Sequence, residues 1–121
     1  MINHSPLPYN FEFLEKTAPI VEQFDAALHT EVIRASDAIF VLDVNDPERT
    51  RSLKDFVIDA RQTVTVIDHH LEPKPFANHY LVDTNATSTG ELITRLVEEA
   101  QPVLGGTVTQ KAALALYVAI M

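Results

Sequence analysis

The sequence predicts an α/β chain with a mainly parallel sheet and right-handed βαβ crossovers, and three observations predict it. Two short runs of β-forming residues, Ala38-Ile39-Phe40-Val41-Leu42 and Val64-Thr65-Val66-Ile67, each end directly on an acid, Asp43 and Asp68. Between them, Leu53, Phe56, Val57 and Ala60 recur at helical spacing. A third run, His79 to Val82, ends at Asp83 and leads into a stretch with Leu92, Ile93, Leu96 and Val97 on one side. Strand and helix alternating in this way is the pattern of a Rossmann-like three-layer unit, with helices on both faces of the sheet and the strand ends aligned on one edge.

In chain order, Ile2 reads as the tail of a strand and Ser5-Pro6-Leu7-Pro8 as a rigid loop carrying His4 nearby. Asn10 is placed to cap a short helical turn bearing Phe11, Phe13 and Leu14; Thr17-Ala18-Pro19 ends it, and Ile20, Val21 and Phe24 add apolar surface. A helix from about Thr30 to Ser36 precedes the run Ala38–Leu42, which is apolar enough to be covered on both faces. Asp46-Pro47-Glu48 is a helix start, with Asp as N-cap, Pro at the first position and Glu near the positive end of the dipole. One helix is expected from Pro47 to about Arg61, as the crossover to Val64–Ile67. Leu71 to Phe76 is a proline-broken loop. Ser88 and Glu91 fit a capping box for the next helix, and after the Gly105-Gly106 turn Thr107 and Gln110 fit another. The last helix, apolar all round from Ala112 to Ile120, is expected inside a core, and because Met121 ends that run without a stop signal the chain is expected to be a piece of a longer protein.

Composition narrows the function classes. The chain has 121 residues, 46% hydrophobic and 21% charged, which suits one folded α/β unit and excludes a disordered tail. No cysteine is present, so disulfides and thiolate metal sites are excluded. No secretory signal and no bilayer-length apolar run is visible, and a cytoplasmic protein without a membrane partner is expected. A formal net charge of −8 opposes sequence-blind attraction to duplex phosphates. Phosphorylated substrates remain open to such a protein only if cations reverse the local field where its carboxylates gather.

The candidate site follows from the strand ends. Asp68-His69-His70 closes one strand and Asp43 closes its neighbour, and in a parallel pair both ends share one rim, where open α/β sheets bind ligands. The tripeptide puts two imidazoles and an orienting carboxylate within one turn. Asp46 is explained by its capping role, whereas Asp43 has no cap to make. Ser88 and Thr89, at a helix N-terminus, are candidates to meet a substrate phosphate, although the helix start by itself accounts for Ser88. His29 and His79 read as surface or packing residues, and Arg49, Arg51 and Lys74 as solvated cations. No Gly-rich phosphate loop or nucleophilic Ser elbow is present.

Asp68-His69-His70 after a strand, and Leu42-Asp43-Val44-Asn45-Asp46 one βαβ unit earlier, resemble motifs III and II of the DHH phosphoesterase superfamily. Asp83-Thr84-Asn85-Ala86-Thr87-Ser88-Thr89-Gly90-Glu91-Leu92-Ile93 is similar to the segment that follows in its RecJ-like branch of bacterial oligoribonucleases and pAp phosphatases, the nano-RNases. The resemblance spans roughly residues 28 to 121. It implies a metal-dependent hydrolase of short oligoribonucleotides or pAp-like nucleotides that uses two divalent cations, usually Mn²⁺ and sometimes Mg²⁺ or Co²⁺. On this resemblance Asp43 bridges the two ions, His69 binds one, Asp68 orients an imidazole and His70 faces the scissile phosphate. It further implies that residues 1–121 are part of an N-terminal DHH domain lacking motifs I and IV and the DHHA1 domain, and that the piece alone is inactive. With no roof over its last helix, self-association into a homo-oligomer is expected. Within the superfamily an exopolyphosphatase- or pyrophosphatase-like enzyme, a cyclic-dinucleotide phosphodiesterase and a RecJ-type exonuclease are alternatives, and a non-catalytic regulatory or binding domain is an alternative from another class.

Overall fold

In the computed structural model, residues 1–15 and 21–121 are described, and Thr17, Ala18, Pro19 and Ile20 lie outside them. The chain is mixed α/β. In order it forms β1 (Ile2–Asn3), a 3-10 helix (Tyr9–Glu15), β2 (Glu22–Gln23), α1 (Ala26–Arg34), β3 (Ala38–Leu42), a second 3-10 helix (Pro47–Leu53), α2 (Lys54–Ile58), β4 (Thr63–Asp68), β5 (His79–Val82), α3 (Thr89–Leu104) and α4 (Gln110–Ile120). The strands form two parallel sheets, β1-β2 and β3-β4-β5.

β4 is the centre of the larger sheet because its side chains are apolar on both faces. Val64 and Val66 point one way and pack with Val41 of β3 and Val57 of α2; Ile67 points the other way, onto Ala86 and Leu92 of α3. Each of the buried Val, Leu and Ile side chains among these stabilises the fold by roughly 1.5–3 kcal/mol relative to exposure. Leu42 pairs with Ile67, and Asp68 with Val82. The ladder runs one step past each strand, since Asp43 N–H donates to the Ile67 carbonyl at 3.0 Å and Asp83 N–H to the Asp68 carbonyl at 3.3 Å. Asp43, Asp68 and Asp83 therefore stand side by side on one rim.

Several expectations are corrected. β3 is covered on one face only: Val41 is buried against α2 and β4, whereas Phe40, pointing the other way, is 61% exposed. The crossover is not one helix from Pro47 to Arg61 but a 3-10 helix and a short α-helix, broken where Arg51 adopts φ 55°. α1 begins earlier than Thr30, because the Asp25 side chain accepts from Ala27 N–H at 2.8 Å and caps it there. The 3-10 helix starts at Tyr9, so Asn10 is inside it rather than its cap. α4 is capped by Thr109, not Thr107. No residue of α4 is fully buried, despite its apolar sequence; the elements that pack on it are α3 and the first 3-10 helix. Among the described residues no helix is long and apolar enough to cross a membrane.

Candidate metal centre

The site is built where β3 and β4 end. Asp43 leaves the sheet with φ 62°, a left-handed conformation that Asp tolerates better than most residues, and this turn puts its carboxylate over the rim. His69 Nε2 lies 3.6 Å and His70 Nδ1 3.8 Å from Asp43 Oδ1. The two imidazoles are neighbours, with ring centroids 4.7 Å apart. Together the three residues can each offer one ligand atom within 4.8 Å of the others.

The protonation pattern of the imidazoles follows from their partners. His69 Nδ1 is 3.2 Å from the Ala86 carbonyl, which can only accept, so Nδ1 carries a proton and Nε2 is the ring atom that faces Asp43. His70 Nδ1 is 2.7 Å from Asp68 Oδ1 and donates to it, which leaves Nε2 as the atom able to ligate or to meet substrate. Both rings are thus held in the tautomer that outer-shell acceptors impose on metal-binding histidines.

Asp68 is fully buried. Its Oδ1 accepts from His69 N–H at 2.8 Å, His70 N–H at 3.3 Å and His70 Nδ1, while Oδ2 has no partner among the described residues. A buried carboxylate with one uncompensated oxygen is costly, and it favours positive charge close by. The donor set passes the same test. Two imidazoles and a carboxylate suit a first-row divalent cation, and ligand atoms about 2.0–2.2 Å from one ion stand a little over 3 Å apart. The separation of 3.6 Å between His69 and Asp43 needs only a small side-chain adjustment.

The α3 N-terminus borders this site. Ser88 Oγ accepts from Glu91 N–H at 3.2 Å, and the Glu91 carboxylate reaches back to Thr87 N–H and Oγ1, both at 2.8 Å, rather than to Ser88. Those Thr87 bonds hold the Glu91 carboxyl below the usual carboxylate range, with Arg95 assisting. Asp83 is held low by Asn85 N–H first, then by the Asn85 amide and Arg95. Arg95 is paired with both Glu91 and Asp83, so the helix start carries its own anion. Thr89 is buried and donates to Asp43 Oδ1 at 2.8 Å. The hydroxyls considered for a phosphate are thus engaged within the chain.

Of the other residues considered, Asp46 caps the 3-10 helix, accepting from Glu48 N–H at 3.0 Å. It also pairs with Lys74, whose hydrogen bond is the main cause of its lowered pKa. Lys74 is therefore a tie between the loops after β3 and β4, strengthened by Asn45, which donates to the Leu71 carbonyl at 2.8 Å. Arg49 reaches Asn45 at 3.4 Å. His29 is a buried packing residue, accepting from Asp25 N–H and bonded to Glu22, and His79 is exposed. Sequence reasoning missed Ala86, whose contribution is a backbone carbonyl with no side-chain signature, and the contact of Thr89 with Asp43, which joins residues far apart in the chain.

A family model described as the DHH family, N-terminal domain, matches residues 7–120. Among solved structures, an exopolyphosphatase-related protein from Bacteroides fragilis is similar, with a TM-score of 0.82 and 23% identity over 99% of this chain. The match takes in 35% of that protein, so this chain spans about a third of its length, and the likeness is one of fold. No curated protein matches.

Proposed function

From the premise that this chain belongs to the DHH family, whose members are metal-dependent phosphoesterases, we propose that it forms part of an enzyme that hydrolyses short oligoribonucleotides or pAp-like nucleotides. The observation that carries the reading is the meeting of Asp43 Oδ1 and His69 Nε2 at 3.6 Å from the ends of adjacent parallel strands. Asp43 and His69 would hold the cations, Mn²⁺ in the first instance. Asp68 Oδ1 accepts a hydrogen bond from His70 Nδ1–H and so turns His70 Nε2 toward the scissile phosphate. Divalent cations bound there supply charge to the phosphoryl oxygens and lower the pKa of an attacking water.

These residues are fewer than two ions require, so the 121-residue chain alone binds metal weakly and is inactive, and the remaining ligands come from a larger protein. A linear polyphosphate is the second substrate class, favoured by the name of the structurally similar protein. The test is hydrolysis by the full-length protein with Mn²⁺, using a short oligoribonucleotide, pAp, polyphosphate and a cyclic dinucleotide. Preferential turnover of the first two, abolished by Asp43→Ala, is expected. Faster turnover of polyphosphate transfers the reading to the second class, and no metal-stimulated turnover of any of the four sinks both.

A further inference from the structure

We infer that Thr89 is a positioning residue for Asp43, an inference that rests on the metal-centre reading above. Three hydroxyl residues in a row open α3, and two of them serve the helix itself: Thr87 donates to Glu91, and Ser88 accepts from the Glu91 N–H. Thr89 does neither. Its hydroxyl leaves the helix and donates at 2.8 Å to Asp43 Oδ1, on another element 46 residues away in sequence. That oxygen is the one facing both imidazoles.

The carboxylate needs such a partner. The Asp43 side chain is 61% exposed and rises from a left-handed backbone, so little packing restricts its rotamer. Among the described residues Thr89 is the hydrogen-bond donor that reaches it. Thr89 is itself fixed: it is buried in the first turn of a capped helix, and the next residue, Gly90, is pressed so closely on Ala119 of α4 that an added Cβ would lie 2.8 Å from the Ala119 Cβ. A carboxylate oxygen has two lone pairs, and a single donor occupies one of them. The other lone pair of Oδ1 and both of Oδ2 stay open, which is the disposition a carboxylate shared between cations requires. Thr89 selects the rotamer without consuming the ligand.

Mn²⁺ binding to the full-length protein, followed by calorimetric titration, tests this with Thr89→Val, Thr89→Ala, Thr89→Ser and Asp43→Ala. Loss of the hydroxyl in the Val and Ala variants should weaken Mn²⁺ binding about 10–100-fold at unchanged melting temperature, and Ser should restore it. Should Val fail to fold, the difference between Ser and Ala isolates the hydroxyl. Wild-type affinity in Val or Ala, with binding lost in Asp43→Ala, overturns the positioning role and leaves the metal centre standing. Affinity lost equally in Val, Ala and Ser, in step with melting temperature, makes Thr89 a packing residue and also overturns it. Unchanged binding in Asp43→Ala removes the metal centre itself.

Discussion

β4 and α4 are both rich in apolar residues, yet β4 buries Val64, Val66, Ile67 and Asp68 while α4 buries nothing. The difference lies in their neighbours. β4 has a strand on each side and helices on both faces, whereas α4 touches the rest through α3 and one 3-10 helix. Burial is conferred by partners, and an apolar sequence states only the demand for them. The site hangs from the element whose demand is met.

The contrast can be broken most directly by truncating one side chain in each region. Ile67→Ala should cost about 2–5 kcal/mol, since it empties space between β4 and α3, whereas Leu114→Ala on α4, which is 44% exposed, should cost about 0.5 kcal/mol or less. Chemical denaturation of both variants checks this, and equal losses would mean that α4 is as much part of the core as β4.

A smaller effect sharpens the comparison where α3, which covers β4, packs against α4. Gly90→Ala would drive a Cβ into Ala119 and should cost about 1–3 kcal/mol through displaced helices. Because Thr89 is adjacent, Mn²⁺ affinity should fall with it, and an Ala variant as stable as the wild type would show that α4 yields freely.

The smallest effect is electrostatic. Asp83 and Glu91 are both held below their ordinary range, so their ionised forms stabilise the α3 start at neutral pH, and that contribution disappears as pH falls through their lowered values. The protection of the Asn85 and Thr87 amides, whose N–H groups bind those carboxylates, should therefore fall relative to their intrinsic exchange rates as the pH drops below about 4 while the β4 amides stay protected. Loss of protection in both regions at the same pH would contradict a separate acid-labile cap.

The strand ends and the paired imidazoles were legible in the sequence because side-chain chemistry changes abruptly there: Leu42 to Asp43, and Ile67 to Asp68-His69-His70. Ser88 was legible as a cap from its spacing to Glu91. The break at Arg51 was not, since a positive φ at Arg leaves no compositional trace. The start of α1 lies at Ala26 rather than near Thr30, because the Asp25 carboxylate accepts from Ala27 N–H and closes the first turn there. Exposure of Phe40 and of α4 depends on what lies beside them in space, which periodicity does not encode.

The extra rung of pairing beyond β3 and β5 gives the rim a fixed gauge. Adjacent strands lie roughly 4.8 Å apart, and the bonds from Asp43 N–H to Ile67 and from Asp83 N–H to Asp68 carry that spacing out to the acids themselves. Loop length has no leverage over it. Preference for a larger or smaller cation at this rim must then be tuned by how far each side chain extends, and swapping Asp43 for Glu, one methylene longer, is the substitution that would shift it.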